Sequence, residues 1–215
     1  LTTAQESIHC ALFELDLPKV QQTILKKSSS LDVKIVTDYD YLYEFNKSFV
    51  RFDSWGLMHN KFCIVDGKKL STGSMNPTVN DATKNNNNLL FIESKILSQN
   101  YEEEFGEMWD GTFKKGNIVK NPKIKLDTTK QIKIKNYFCP EDHCTERIKV
   151  ELSKAEKSIR FMAFSFTSKE ISNILLLKKL DNLTIQGVME ARQVTKDSVF
   201  QQLLYQGIDV VKDHN

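Results

Sequence analysis

The stretch LTTAQESIHCALFEL, residues Leu1–Leu15, occurs a second time in altered form as LSKAEKSIRFMAFSF, residues Leu152–Phe166. The residues that the two copies share at matching places are Leu1 and Leu152, Ala4 and Ala155, Ser7 and Ser158, Ile8 and Ile159, and Phe13 and Phe164. Each copy continues with apolar residues at helical spacing and then with a strand-like segment, LDVKIVTD in the first and NLTIQGVME in the second. Because ordered matches over several elements seldom arise by chance, the sequence predicts two copies of one βαβ unit.

Strands that alternate with helices predict an α/β sandwich. We expect a first repeat over residues 1–112 that lacks its N-terminal part, a linker over residues 113–130, and a second repeat over residues 131–215. The repeat also aligns VRFD, ending at Asp53, with VVKD, ending at Asp213. His59 follows Asp53 by six residues, so the same spacing predicts a second histidine near position 219, beyond Asn215.

The composition is that of an ordinary globular protein, and it leaves the compartment open. The net charge of +2 does not by itself indicate a nucleic-acid binder, although lysines are frequent from Lys114 to Lys135. We expect Cys10 and Cys63, which lie in apolar strand-like segments, to be buried thiols. The segment FCPEDHC leaves three possibilities for Cys139 and Cys144: a local disulfide, half a metal site, or reduced thiols.

A group of polar residues interrupts a strand pattern in MHNKFCIVDGKKLSTGSMNPT, residues Met58–Thr78. Side chains two apart on a strand point the same way, so we expect His59 and Lys61 to project together. The ammonium of Lys61 should lower the pKa of the His59 imidazole and leave it neutral near pH 7. The turn Gly73-Ser74-Met75-Asn76 adds a hydroxyl and an amide that suit a phosphate oxygen. These groups can supply phosphoryl transfer without a metal, so no metal and no cofactor are expected.

The residues from His59 to Asp66, followed by Gly73 to Asn76, resemble the HxKxxxxD…GSxN signature of the phospholipase D superfamily. The two-copy architecture is similar to that of this family as well. The resemblance implies an α/β/α fold in which two such motifs meet at a pseudo-twofold axis and form one active site.

The resemblance also implies roles for individual residues. His59 would attack phosphorus to give a phosphohistidine, Lys61 would bind phosphate oxygens, and Asp66 would support the motif through hydrogen bonds. Ser74 and Asn76 would line the phosphate pocket. Asn87, within KNNNNLLFIE, falls where relatives often carry a supporting acidic or amide residue.

This sequence departs from the two-motif pattern, since no other histidine in it has a lysine two residues on. Either a second motif follows Asn215, which the repeat favours, or two chains pair their sites in a homodimer. The expected activity is that of a nuclease-like phosphodiesterase on DNA or RNA, with a phospholipase D or a cardiolipin-type phospholipid transferase second. A non-catalytic module that binds phosphate backbones is the alternative from another class.

Overall fold

The computed structural model describes residues 1–126, 128–129 and 131–213. Asp127 and Lys130, which belong to the predicted linker, and His214 and Asn215, which end the predicted second repeat, lie outside the described residues. The chain divides into two compact units, Leu1–Asp142 and His143–Asn215. How the predicted linker and repeats divide the protein into domains stays a prediction.

The first unit is built on a six-stranded mixed sheet in the order β3-β2-β1-β4-β5-β6. The strands are β1 (Ser7–Leu12), β2 (Asp32–Asp38), β3 (Val50–Asp53), β4 (Lys61–Val65), β5 (Lys69–Gly73) and β6 (Leu89–Glu93). The helices are α1 (Pro18–Ser28), α2 (Val79–Thr83) and α3 (Lys95–Trp109). β1, β2 and β3 run parallel to one another, and β4 runs antiparallel to β1. The carboxyl ends of the three parallel strands and the start of β4 therefore meet at one edge of the sheet.

Helices cover both faces of this sheet, because alternate strand residues point to opposite sides. Cys10 and Leu12 of β1 pack on one face in a cluster that includes Ile24 of α1. Ala11 of β1 and Phe62 of β4 pack on the other face in a cluster that includes Leu97, Phe105 and Met108 of α3. The first unit is thus an α/β/α sandwich, which confirms the predicted mixed α/β class.

Cys10 and Cys63 form a disulfide, so the expectation of two separate buried thiols was wrong. The two residues stand opposite each other in the antiparallel pairing of β1 and β4, with Cα atoms 4.1 Å apart. Both are buried, as expected. Their pairing depends on the register between strands that lie 53 residues apart in sequence, and no local pattern reports that register.

A small antiparallel hairpin follows α3 in the first unit. Its strands are β7 (Lys123–Lys125) and β8 (Lys133–Lys135), of which β7 falls within the predicted linker. Ile124 is buried against the α3 side of the sheet, with Leu126 and Ile134 packed on the same cluster. These apolar contacts hold the hairpin to the first unit.

The second unit repeats the first three strands of the first unit. It contains α4 (Cys144–Ser153), β9 (Ser158–Ala163), α5 (Lys169–Leu180), β10 (Thr184–Glu190), α6 (Phe200–Tyr205) and β11 (Asp209–Asp213). Its sheet has the order β11-β10-β9 with all strands parallel, as in β3-β2-β1.

Cys139 and Cys144 are each disulfide-bonded, so neither is a reduced thiol or a metal ligand.

No helix in the described part of the chain has the length and apolar character needed to cross a membrane.

Candidate active site

The backbone on either side of His59 is tied to the ends of two strands. The N–H of Met58 donates to the buried carboxylate of Asp38 at the end of β2, over 2.9 Å. On the other side, the carbonyl oxygen of Asn60 accepts from the N–H of Phe13, which directly follows β1, over 2.9 Å. These bonds fix the position of His59 at the carboxyl edge of the parallel strands, where its side chain stays exposed.

The ring of Phe13 contacts both functional groups of the motif. His59 packs edge-on against Phe13 with ring centroids 4.6 Å apart, and Tyr41 packs on the same ring at 4.6 Å. The ammonium of Lys61 lies 5.0 Å from the centroid of the Phe13 ring and donates to the carbonyl oxygen of His59 over 2.9 Å. The structure therefore brings His59 and Lys61 together. They meet through Phe13 and the His59 carbonyl rather than through strand spacing, because β4 begins at Lys61 and His59 precedes it.

Desolvation lowers the pKa values of both groups. Although His59 remains exposed overall, its pKa falls below its usual value, first because neighbouring protein atoms desolvate the ring and then because of the Lys61 charge, while Asp38 opposes the shift. Burial lowers the pKa of Lys61 to about 8 although Asp81 and Glu14 favour its charged form. At neutral pH the site thus holds an uncharged imidazole beside an ammonium. Desolvation disfavours the charged form of this ammonium more than Asp81 and Glu14 favour it. The repulsion expected from sequence is present, but desolvation is the larger cause.

The GSxN turn leaves β5 beside the start of β4. Phe62 pairs with Thr72, so the next residues along, Lys61 and Gly73, face each other at the same edge. A Cβ atom at Gly73 would lie 2.2 Å from the carbonyl oxygen of Asn88, so only glycine allows this approach. The turn that carries the predicted pocket residues Ser74 and Asn76 therefore begins next to Lys61.

Ser74 and Asn87, both predicted to bind substrate, are in direct contact. The Ser74 hydroxyl donates to Oδ1 of Asn87 over 2.9 Å and accepts from the N–H of Asn88 over 3.0 Å. Asn87 thus orients the Ser74 hydroxyl.

Asn76 is held through its backbone and keeps an unused acceptor. Its N–H donates to the carboxylate of Asp81 over 2.6 Å. Its side-chain Oδ1 is buried and has no hydrogen-bond partner among the described residues. An unpaired buried acceptor is costly, so Asn76 has a capacity for a hydrogen bond that the folded chain does not use.

Asp66 lies at the opposite end of β4 from His59. It lies five positions beyond Lys61 along the chain, or about 16 Å at the usual rise of a strand. Its carboxylate accepts the N–H groups of Gln5, Glu6 and Ser7 at the start of β1. The structure does not bring Asp66 into contact with the imidazole. Asp66 instead holds the end of β4 to the start of β1.

Replacing Asp66 with Asn is expected to destabilise the protein by about 1–3 kcal/mol, because backbone N–H groups at the start of β1 lose a charged acceptor. Although burial opposes it, hydrogen bonding from these N–H groups and the charge of Lys68 lower the pKa of Asp66. The stability it contributes is therefore present above its unfolded pKa and is lost as the pH falls through its folded pKa. Urea unfolding of D66N and of the exposed control D40N measures the effect. Equal midpoints for D66N and the wild-type protein would contradict this role.

Sequence reasoning missed three residues that shape the site. Asp38 anchors Met58, Asp81 holds Asn76, and Phe13 carries the aromatic contacts described above. Of these, only Phe13 could have been found from the sequence, since it recurs as Phe164 in the repeat. Phe164 directly follows β9 as Phe13 follows β1, and its side chain is exposed.

An α/β/α sandwich with a neutral imidazole, a half-buried ammonium and a GSxN turn at one sheet edge defines a protein class with a site suited to phosphate. Over residues 1–109 the sequence matches the family described as "Cardiolipin synthase, PLD-like domain". The chain belongs to this family, within the phospholipase D superfamily, as the resemblance implied.

Curated relatives match about half of the chain. The "Mitochondrial cardiolipin hydrolase" of Xenopus tropicalis is 32% identical over 120 residues, which cover 51% of this chain and 57% of that protein. The "Phospholipase D" of Rickettsia prowazekii (strain Madrid E) is 36% identical over 97 residues, which cover 44% of this chain and 45% of that protein. The chain thus spans about half the length of the curated relatives it matches.

A solved structure resembles a larger share of the chain. The phosphatidylserine synthase of Haemophilus influenzae Rd KW20 has a TM-score of 0.56 and 8% identity, and the match covers 88% of this chain and 57% of that one. At this identity the likeness concerns the fold alone.

Proposed function

We propose that the protein is a phosphodiesterase that works through a phosphohistidine on His59. The imidazole nitrogen forms a bond to phosphorus while the bond from phosphorus to the leaving oxygen breaks, and a second histidine protonates that oxygen. Water then attacks phosphorus and gives its proton to the second histidine, which had lost its own to the leaving oxygen; the phosphorus–nitrogen bond breaks, and His59 is regenerated. The observation that supports this proposal is the depressed pKa of His59 beside the ammonium of Lys61.

Lys61 and the GSxN turn replace a metal in this proposal. Lys61 offers its ammonium to the phosphate oxygens, and the Ser74 hydroxyl, which donates to Oδ1 of Asn87 in the free protein, turns to a phosphate oxygen when substrate binds. The side-chain amide nitrogen of Asn76, in the same turn, is the third proposed donor. Donors fixed in place before the reaction stabilise charge as it develops in the transition state. Asp66 supports the strands that carry these residues.

The second histidine of this proposal comes from a second copy of the motif. A homodimer that brings two copies of His59 together supplies it.

A phospholipid is the substrate that we propose first. The matched relatives carry the names of a cardiolipin hydrolase and a phospholipase D. DNA or RNA, which sequence analysis placed first, is the second candidate. The hairpin supports it, because Lys123 pairs with Lys135 and Lys125 with Lys133. Four lysines at opposed positions form a cationic patch that could attract a polyanion.

Cleavage of four substrates in EDTA tests this proposal. The purified protein is incubated with bis(p-nitrophenyl) phosphate, with phospholipid vesicles, with DNA and with RNA, each at low and high salt. We expect release of nitrophenol and of a lipid headgroup, both insensitive to EDTA. Loss of activity in EDTA would contradict the metal-free mechanism. Cleavage of nucleic acid alone would reverse the order of substrates, and binding without any cleavage would identify a non-catalytic module.

A further inference from the structure

Glu14 is a half-buried acid beside the candidate active site, and none of the roles assigned above uses it. It directly follows Phe13, whose ring contacts both His59 and Lys61. In the second copy of the repeat the matching residue is Ser165, so an acid stands here only in the copy that carries the HxK motif. Burial of a carboxylate is costly unless charges or hydrogen bonds compensate for it, so the partners of Glu14 indicate its role.

The loop that carries Glu14 joins the two halves of the site. On one side, the N–H of Phe13 donates to the carbonyl oxygen of Asn60, between the two residues of HxK, over 2.9 Å. On the other side, the N–H of Leu17 donates over 2.9 Å to the carbonyl oxygen of Pro77, which directly follows the GSxN turn. Glu14 lies between these two anchor points, at the edge of the sheet where the phosphate groups would bind.

Tyr41 holds the Glu14 side chain at this edge. The Tyr41 hydroxyl donates to the Glu14 carboxylate. The Tyr41 ring packs on Phe13 with centroids 4.6 Å apart, and the ammonium of Lys61 lies 5.0 Å from the centroid of the same Phe13 ring. The carboxylate and the ammonium are therefore both placed around one aromatic ring.

The groups that face Glu14 come from every element packed around it. They are Asp16 of the same loop, Tyr41 and Glu44 of the 3-10 turn Tyr39–Glu44, Lys61 of β4 and Asp81 of α2. Burial raises the pKa of Glu14, as do Asp81 and Asp16, whereas the Tyr41 hydrogen bond and the Lys61 charge lower it. Within this set, Lys61 is the cation that stabilises the ionised carboxylate.

The same attraction acts on Lys61. Its ammonium is disfavoured by burial and favoured by Asp81 and then by Glu14. The oxygens of Asp81 already accept the N–H of Asn76 and the side-chain amide of Asn85, both over 2.6 Å. Replacing Asp81 would therefore disturb the GSxN turn, whereas replacing Glu14 changes the charge near Lys61 and leaves the Asn76 anchor in place.

We propose that Glu14 is a positioning residue of the active site, which keeps Lys61 in its ammonium form beside His59. The inference rests on the proposed function for its catalytic consequence, because only a charged Lys61 attracts a phosphate oxygen. A nearby opposite charge favours the charged form of a titratable group, so Lys61 without Glu14 gives up its proton at a lower pH. Glu14 does not touch the reacting atoms and acts through Lys61.

Acetylation of Lys61 at a series of pH values tests this role without any need for turnover. Only the neutral amine reacts with acetic anhydride, so the label on the Lys61 peptide, measured by mass spectrometry, reports the pKa of Lys61. Glu14→Gln keeps the size of the side chain and removes its charge. We expect E14Q to lower the pKa of Lys61 by about one pH unit, a roughly tenfold loss in proton affinity. Glu14→Asp keeps the charge and should restore most of this loss.

The matched control is Asp16→Asn. Asp16 lies two residues further along the same loop, is exposed, and accepts the N–H of Val79 through an oxygen that asparagine retains. We expect D16N to keep the wild-type pKa of Lys61, because solvent screens an exposed charge. Equal Lys61 pKa values in E14Q and the wild-type protein would overturn the proposal. So would equal shifts in E14Q and D16N, since the effect would then belong to the loop as a whole.

Turnover of bis(p-nitrophenyl) phosphate separates this inference from the proposed function. In E14Q the alkaline decline of activity should begin about one pH unit lower than in the wild-type protein, whereas a merely structural role would lower activity equally at every pH. A lowered Lys61 pKa in E14Q, together with no phosphodiester cleavage by the wild-type protein, would support the role of Glu14 and contradict the proposed function. Cleavage with the same alkaline limb in E14Q and the wild-type protein would do the reverse.

Discussion

Replacement of His59 by Ala is expected to lower the turnover of bis(p-nitrophenyl) phosphate by a factor on the order of 10⁴, since the attacking nucleophile is lost. The fold should be unaffected. The His59 side chain is exposed, and its backbone anchors, through Met58 and Asn60, do not involve the imidazole. Steady-state kinetics with a thermal melt of the same preparation separate the loss of chemistry from a loss of structure.

The matched control for this variant is His143→Asn. His143 is also exposed, and it has a left-handed backbone conformation that asparagine tolerates. We expect H143N to keep wild-type turnover. Turnover by H59A that matches that of H143N would remove His59 from the mechanism.

The second large effect is expected at Lys61, where function and stability oppose each other. Lys61→Met should lower turnover by about 10²–10³-fold, because the phosphate oxygens lose a fixed cation. The same change should stabilise the protein by an amount on the order of 2 kcal/mol at neutral pH, since folding holds the pKa of Lys61 at about 8, below its usual 10.5. Kinetics and urea unfolding of K61M, with exposed Lys26→Met as the control, measure both effects.

The sign of this stability effect depends on pH. The folded protein binds the Lys61 proton more weakly than the unfolded chain does, so the penalty is fully present below about pH 8. Wild-type stability should rise from there towards pH 10.5 as the ammonium loses its proton, and the advantage of K61M should shrink over the same window. A K61M advantage that grows with pH would contradict the assigned pKa direction.

The pH profile of turnover should report the same group. Activity should persist below pH 6.5, since the pKa of His59 is lowered, and should decline above about pH 8 as Lys61 becomes neutral. In Lys61→Arg the guanidinium keeps its charge, so the variant is expected to be less active but to lack the alkaline decline. An unchanged alkaline limb in K61R would assign that limb to another group.

The local elements of the fold could be predicted because their signals are local. The predicted strand segments LDVKIVTD and NLTIQGVME contain β2 (Asp32–Asp38) and β10 (Thr184–Glu190), and the apolar residues at helical spacing before them lie in α1 and α5. Hydrophobic periodicity and capping residues carry these signals within a few residues of sequence. The motif of His59 and Lys61 could be predicted for the same reason, since both residues lie in one short stretch of sequence.

The rest of the site depends on contacts between distant segments. Phe13 reaches His59 only because β1 and β4 are neighbours, and the Cys10–Cys63 disulfide depends on their register. β7 lies in the segment assigned to a linker, and a strand of three residues leaves little periodic signal in the sequence. The exposure of Trp55 could not be read from sequence either, since an aromatic residue beside a strand is more often part of the core.

Trapping of the covalent intermediate tests the central claim most directly. The protein is mixed with a phosphodiester substrate, quenched with alkali within the first turnover, digested and analysed by mass spectrometry, with H59A treated in parallel. We predict a phosphorylated peptide that contains His59, that is lost on mild acid treatment, and that is absent from H59A. Rapid turnover with no such adduct on the His59 peptide, or an adduct that persists in H59A, would contradict the account.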